Sequence, residues 1–449
     1  MRRLIFLGAA LAAVSGCARS HPAERRAPVE DVDDPAARAA ILAPALDGYQ
    51  AVFILTWDGH RIGDASERFT ASPAAAGGYR FERSERVQVR RQGAVSSSVT
   101  EIRVDLDDAL VPRHVWVERR AGQVLVHGEA VRLVDDAWRV SYDGTPDRLF
   151  DGAAMPSTLV PLLVAASGVA SGRGFDAPVM VEGAGLAVAH LAVDVSGDRR
   201  TARARLSTAV GELRAQATLD DRGLILSAGE GAAVASRRAT ADEVAAPFDP
   251  PDLVEGSAVA VAGLAADPHW PGALHLLVHG VRAAPPALDD LPAQQATLLD
   301  GGDWDVRVSA AAPAGEDGLA VVRERTRHVS RLLEDDSAVA ARGLSEALAA
   351  RRGDCTAHAL VLQSLLRERG LDARLVTGFV LDDGALRRHR WVTVRVGHTW
   401  VPVDPMFDEV PASPAHLALA VHDSSIDEMA FIDEVAFAGW EGATARLLP

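Results

Sequence analysis

Gly353-Asp354-Cys355-Thr356-Ala357-His358-Ala359 opens a run whose apolar residues, Ala359, Leu362, Leu365 and Leu366, recur at helical spacing until Arg369-Gly370. The pattern predicts a helix that starts at Cys355, is capped by Asp354, and stops at Gly370. A thiol in the first turn faces free backbone N–H groups and the positive end of the helix dipole. Both favour a thiolate, the form that attacks carbonyl carbon. The same N–H groups are also candidates to hold the oxyanion that follows attack. A lone cysteine more commonly packs as a small hydrophobe. Gly, Asp, Thr and His around Cys355 speak against that reading.

Downstream, residues 373–380 and 391–396 alternate as strands, and a turn at Gly397-His398 leads into Trp400-Val401-Pro402-Val403-Asp404. A hairpin about Gly397-His398 would bring His389 and Asp404 level on neighbouring strands, both facing the helix that carries Cys355. Nucleophile, proton carrier and orienting carboxylate are then supplied by Cys355, His389 and Asp404. His358, one turn along the helix, could instead join Cys355 and His389 around zinc. The triad accounts for the groups better, so no metal and no cofactor are expected. His398 reads as solvated, Trp391 and Trp400 as sheet-packing residues, and the acidic stretches Asp408-Glu409 and 423–434 as solvated faces.

Three segments in order carry a family resemblance. Gly353-Asp354-Cys355, then His389-Arg390-Trp391, then Trp400-Val401-Pro402-Val403-Asp404-Pro405 are similar to the Gly-x-Cys, His-x-Trp and Trp-x-Pro-x-Asp-Pro pattern of bacterial members of the transglutaminase-like superfamily. The likeness covers roughly residues 320–420. It implies a papain-like α+β module with Cys355 as nucleophile, His389 as base and Asp404 as orienting carboxylate. It also implies attack on a peptide or protein amide through a thioester. Departures from the pattern are Ala357, where relatives often have Glu, and Arg390, where a small residue is common. No Gln lies in residues 316–354 to donate to an oxyanion from a side chain. Animal transglutaminases of the superfamily use Ca²⁺, and no EF-hand-like loop is evident here. Hydrolysis is therefore expected over acyl transfer. The alternative is a non-catalytic cell-envelope binding or scaffold protein built on the same fold.

The rest of the chain sets the context. Residues 49–238 are largely period two with regular turn signals such as Asp58-Gly59 and Asp143-Gly144, the mark of antiparallel sheet with one buried face. Residues 156–174 are Ala/Leu/Val-rich and could form a short helix over that sheet. A second β-rich stretch ends in Trp304-Asp305-Val306-Arg307-Val308. From Glu316 the period becomes helical, through Leu319, Val322, Thr326 and Val329 and again over 339–350. The expected order is a signal peptide (1–16), a tether (17–45), an antiparallel β domain (46–250), a small β-rich domain (251–315) and the transglutaminase-like α+β domain (316–449). The chain is thus a multidomain protein with N-terminal antiparallel β domains.

The formal net charge of −16 excludes a nucleic-acid partner, which demands a basic face. All 46 basic residues are Arg, so the chain has no Lys to accept an acyl group from itself. Arg2 and Arg3 precede a short apolar run, and Val14-Ser15-Gly16-Cys17 resembles a bacterial lipobox. That resemblance implies acylation of Cys17 and a lipid anchor in the cell envelope, on an outer membrane because Ala18 follows the cysteine. The expected partners are a peptide or protein substrate and, through the lipid, a membrane. Oligomeric state is not legible. Replacing Cys17 by Ser should move the protein from the membrane pellet to a soluble or unprocessed form. Unchanged processing and partition on fractionation would refute the lipobox.

Overall fold

A computed structural model describes residues 46–448, apart from 47, 72–77, 92–93, 122–123, 135, 144, 151, 153, 163–174, 199, 209–210, 230–233, 253–255, 264–271, 282–292, 311–315, 337–343, 423–432, 434–435, 438 and 441. Cys17 and most of the expected 156–174 helix lie outside the described residues. The chain divides into two compact units, one formed chiefly by residues up to Pro251 and one by Asp252–Pro449. No helix among the described residues is long and apolar enough to cross a membrane.

The first unit is one sheet of fifteen described strands, made of two meanders. The first strand, Gln50–Trp57, pairs with the last, Val234–Ala239, and joins them. Pairing is antiparallel throughout the described ladders of this sheet except where Met155–Pro156 runs parallel to Phe175–Val181. Period-two burial produces the sheet: Val115 and Val117 are buried, and His114, Trp116 and Glu118 around them are only partly so. At the first hairpin, Asp58 and Gly59 both have positive φ (47° and 77°), the geometry that matches the twist of the flanking strands. The Arg148 guanidinium donates to the Gly185 carbonyl (2.7 Å), which ties the Thr145–Phe150 strand to the turn after Phe175–Val181. Inside, Arg83 is buried between Glu67 and Glu85, and Tyr49 Oη donates to Glu67 (2.6 Å). A buried cation is tolerable because both carboxylates answer it.

The second unit contains, in chain order, β1 (Val259–Ala262), β2 (Leu274–His279), β3 (Gln294–Leu298), β4 (Trp304–Val308), α1 (Glu316–Leu332), α2 (Leu344–Ala350), α3 (Cys355–Arg367), β5 (Ala373–Asp382), β6 (Ala385–Val396), β7 (Thr399–Val403), β8 (His416–His422) and β9 (Thr444–Leu447). The strands make one sheet in the order β3-β4-β2-β9-β1-β6-β5-β8, with β7 also paired to β6. The expected small domain at 251–315 is therefore no separate body, because its strands share a sheet with the segments that bear the motifs. Their apolar faces also share a core: Leu274, Leu276 and Val306 pack with Phe379, Leu386 and Leu417. Strand β1 is the splice, antiparallel to β6 at Val259 and Ala260 and parallel to β9 at Val261 and Ala262.

The three helices cover the other half of the sheet. Val322 and Val329 of α1, Ala347 of α2 and Ala359, Val361, Leu362 and Leu366 of α3 close on Leu375, Val392, Val394 and Val403. The 3–4 spacing on the helices and the alternation along β6 produce that match. Helix α3 ends at Arg367, and the turn that follows closes on Gly370, whose φ of +75° takes a conformation open to glycine.

Gly378 of β5 lies opposite His389 of β6, at a bulge against β8. A Cβ there would sit 2.1 Å from the Leu417 carbonyl oxygen and 2.8 Å from the Trp391 ring. Gly378→Ala should destabilise this unit by about 1–3 kcal/mol or more through overpacking, read as a lower urea midpoint. An unchanged midpoint would refute the close approach.

A candidate cysteine active site

Cys355 is the first residue of α3 and is partly exposed. The chain folds this way locally because Asp354 caps the helix: its Oδ1 accepts from the N–H of Thr356 (3.0 Å) and Ala357 (3.2 Å). This alters one expectation. Two of the first-turn N–H groups that seemed available for an oxyanion are already taken by Asp354, which leaves the N–H of Cys355 itself.

His389 lies on β6 and Asp404 directly follows β7. The β6–β7 register sets Val392 opposite Val403, so Asp404 falls beside Trp391, not level with His389. The contact is diagonal along one face of the hairpin, within reach of an imidazole. His389 Nε2 donates to Asp404 Oδ2 at 2.5 Å, with both groups buried. The remaining ring nitrogen, Nδ1, is left for Cys355, whose hydrogen bond and charge both act on His389. Burial disfavours the charged ring, but Asp404 and then Cys355 outweigh it and push the imidazole up to about 10. For Asp404, burial is likewise outweighed, by His389 and by a second histidine, and its carboxyl is held well below the usual range.

That second histidine, His416 at the start of β8, was not singled out from the sequence. Its Nε2 donates to the same Asp404 Oδ2 at 2.8 Å, while Asp404 Oδ1 accepts from the N–H of Met406 at 2.8 Å. The only sequence signal is a histidine opening an apolar alternating run shortly after Asp404-Pro405. His389, Asp404 and His416 offer three ligand atoms within 4.8 Å of one another. Ligands around tetrahedral zinc at 2.0–2.2 Å stand about 3.3 Å apart. The N···O separations here, 2.5 and 2.8 Å, are those of charge-assisted hydrogen bonds. The chemistry that these hydrogen bonds support is proton handling.

Two more side chains frame the site. His358 is turned inward, with Nδ1 3.1 Å from the Asp354 carbonyl oxygen and Nε2 3.3 Å from that of Leu333. It secures the loop before Cys355. Arg390 is buried and pairs with Asp433, and it donates to Thr377 Oγ1 (3.1 Å) and to Thr356 Oγ1 (3.1 Å). The unusual arginine of the second motif thus fastens β5 and β6 to the first turn of α3. Asp433 belongs to the stretch expected as a solvated acidic face, and it is buried instead, because a buried guanidinium requires a counter-charge. Trp391 is buried and packs on Val376 and Ala418. Trp400 lies under Arg374, 4.6 Å from the ring centroid, and His398 is exposed at its hairpin tip.

Residues 308–405 match the core of the transglutaminase-like superfamily. All three motif residues fall within that match. Comparison with curated proteins finds no match. Among solved structures, a β-barrel-like protein of a domain of unknown function from Brucella abortus is similar at 14% identity and a TM-score of 0.32, covering 42% of this chain and 93% of its own. A candidate cysteine protease from Cytophaga hutchinsonii is similar at 14% identity and a TM-score of 0.22, covering 41% of this chain and 78% of its own.

The two shifts fix how stability depends on pH. Asp404, lowered, stabilises the fold above its unfolded value of about 4, and that contribution is lost as pH falls through its depressed folded value. His389, raised, stabilises fully below about 6.5, and that contribution is lost as pH rises through about 10. Urea unfolding of Asp404→Asn across pH 6–10 should show a smaller alkaline loss than wild type. Equal slopes in the two proteins would contradict the pairing.

Proposed function

We propose that this protein is a cysteine-nucleophile enzyme acting on peptide or protein amide bonds, with hydrolysis favoured over acyl transfer. The observation that carries this reading is the buried His389–Asp404 pair meeting a partly exposed Cys355 at a helix N-terminus. Cys355 Sγ attacks the amide carbon while His389 holds the thiol proton. The tetrahedral oxyanion is met by the Cys355 N–H, the first-turn donor that Asp354 does not occupy. His389 then gives its proton to the departing amine nitrogen, and the C–N bond breaks to leave a thioester. Water, deprotonated by His389, attacks the thioester; the acid leaves and the thiol is restored. Asp404 keeps the ring oriented and stabilises its charged form throughout.

The match to the transglutaminase-like core supports the papain-like reading of helix, strand and hairpin. The lipobox-like Val14-Ser15-Gly16-Cys17 supports a lipid-anchored enzyme of the cell envelope, in which the β-rich first unit stands between the anchor and the catalytic unit in sequence.

The test is partitioning. Wild-type protein is incubated with peptide amides and an excess of a small primary amine, and the products are weighed by mass spectrometry. Free acid as the main product, lost in Cys355→Ala, is expected. Amine adduct as the main product would replace hydrolysis by transfer. In parallel, His389→Ala should slow iodoacetamide labelling of Cys355 at pH 7 about a hundredfold. A Cys355 that labels only after denaturation would overturn the enzyme reading in favour of a binding protein.

A further inference from the structure

Asp404 Oδ2 accepts from two imidazoles at once, yet the proposed chemistry uses only His389. We infer that His416 is a positioning residue that fixes Asp404 for catalysis, an assignment that rests on the enzyme reading above. The geometry supports it from both sides. On one side, His416 Nε2 reaches Asp404 Oδ2 at 2.8 Å; on the other, Nδ1 lies 3.0 Å from the Ser413 carbonyl oxygen and 3.5 Å from its hydroxyl. Ser413 N in turn donates to Glu409 Oε2 (2.7 Å), and the Glu409 and Asp404 backbones exchange two hydrogen bonds, at 2.9 and 3.0 Å. A closed ring of contacts therefore runs from Asp404 through His416, Ser413 and Glu409 back to Asp404.

The ring is needed because Asp404 stands just past the end of β7, where the β6 ladder no longer constrains it. Its carboxylate must nevertheless present one oxygen to His389 with little angular freedom. The Met406 N–H holds Oδ1, and His416 holds the same Oδ2 that faces His389. His416 is itself packed in place: it is buried, its ring meets Trp391 edge-on at 5.0 Å, and it heads β8. That strand is pinned by Gln294 of β3, whose side-chain amide donates to the Ala418 carbonyl (2.8 Å) and accepts from the Ala418 N–H (2.8 Å). Groups that orient a catalytic or ligating side chain in this way typically change activity 10–100-fold when removed.

The experiment is a double-mutant cycle on the full chain, comparing His416→Phe, His416→Gln, Asp404→Asn and His416→Phe with Asp404→Asn. Each variant is read by kcat and KM on a peptide amide and by iodoacetamide labelling of Cys355 at pH 7. His416→Phe should lower kcat about 10–100-fold at unchanged KM, and slow labelling in proportion. His416→Gln, whose amide can still donate to Oδ2, should recover most of both. In the Asp404→Asn background, His416→Phe should cost nothing further, because its effect passes through that carboxylate.

Full activity in His416→Phe would overturn the inference. So would a loss not restored by Gln, or one that adds in full to Asp404→Asn, since either marks a packing role. If no peptide amide is turned over by the wild type, the enzyme reading fails, and the labelling rates of the same four variants still decide the role of His416. A Cys355 that labels only after denaturation would defeat both.

Discussion

The carboxylate of Asp404 is the point on which the second unit converges. It is wholly buried, carries its charge, and is answered by three donors from three stretches of chain: His389 on β6, His416 on β8 and the Met406 N–H in the turn after β7. An isolated charge in that position would cost several kcal/mol, so the three donors are a condition of folding as much as of chemistry. The sheet order serves this requirement. Strands β6 and β7 bring in the hairpin, β5 spaces β6 from β8, and Gly378 lets them close over Trp391.

A second buried charge, Arg390, completes the frame from the helix side. It is tied to Asp433 and to the hydroxyls of Thr356 and Thr377, so the residue after His389 fastens the helix that carries Cys355. Neighbouring residues on one strand thus address different partners, His389 the Asp404 carboxylate and Arg390 the first turn of α3. The relative placement of thiol and imidazole follows from the packing of α3 on β6 and from the Arg390 contacts that join them.

What was legible in the sequence was local. Cys355 could be placed because a cap, a helical stripe and a terminating glycine sit within one stretch. His389 and Asp404 could be brought together because a single turn, Gly397-His398, joins β6 and β7, although the register sets the pair diagonal and not level. What escaped was non-local. Nothing around His416 separates it from His422 on the same strand, and only the closing of β8 on β5 makes it a partner of Asp404. Asp433 was hidden in an acidic stretch whose composition reads as solvent-facing, and Gln294 in a strand remote in sequence. The boundary expected at 315/316 failed for the same reason: period change marks a switch of secondary structure, whereas a domain ends where contacts stop.

Strand β1 gives that last point a practical edge. Residues 308–405, which carry the family pattern, include neither β1 nor β2, β3, β8 or β9. A fragment cut to the family pattern would lay bare the backbone of β6 along Leu386 and Ala385 and uncover Phe379 and Leu381 on the face those strands protect. Unpaired strand backbone next to apolar surface is a template for association between chains. The smallest fragment that keeps β6 paired on both edges, and Cys355 and His389 in one core, therefore begins near Asp252, well before the first residue of the family pattern.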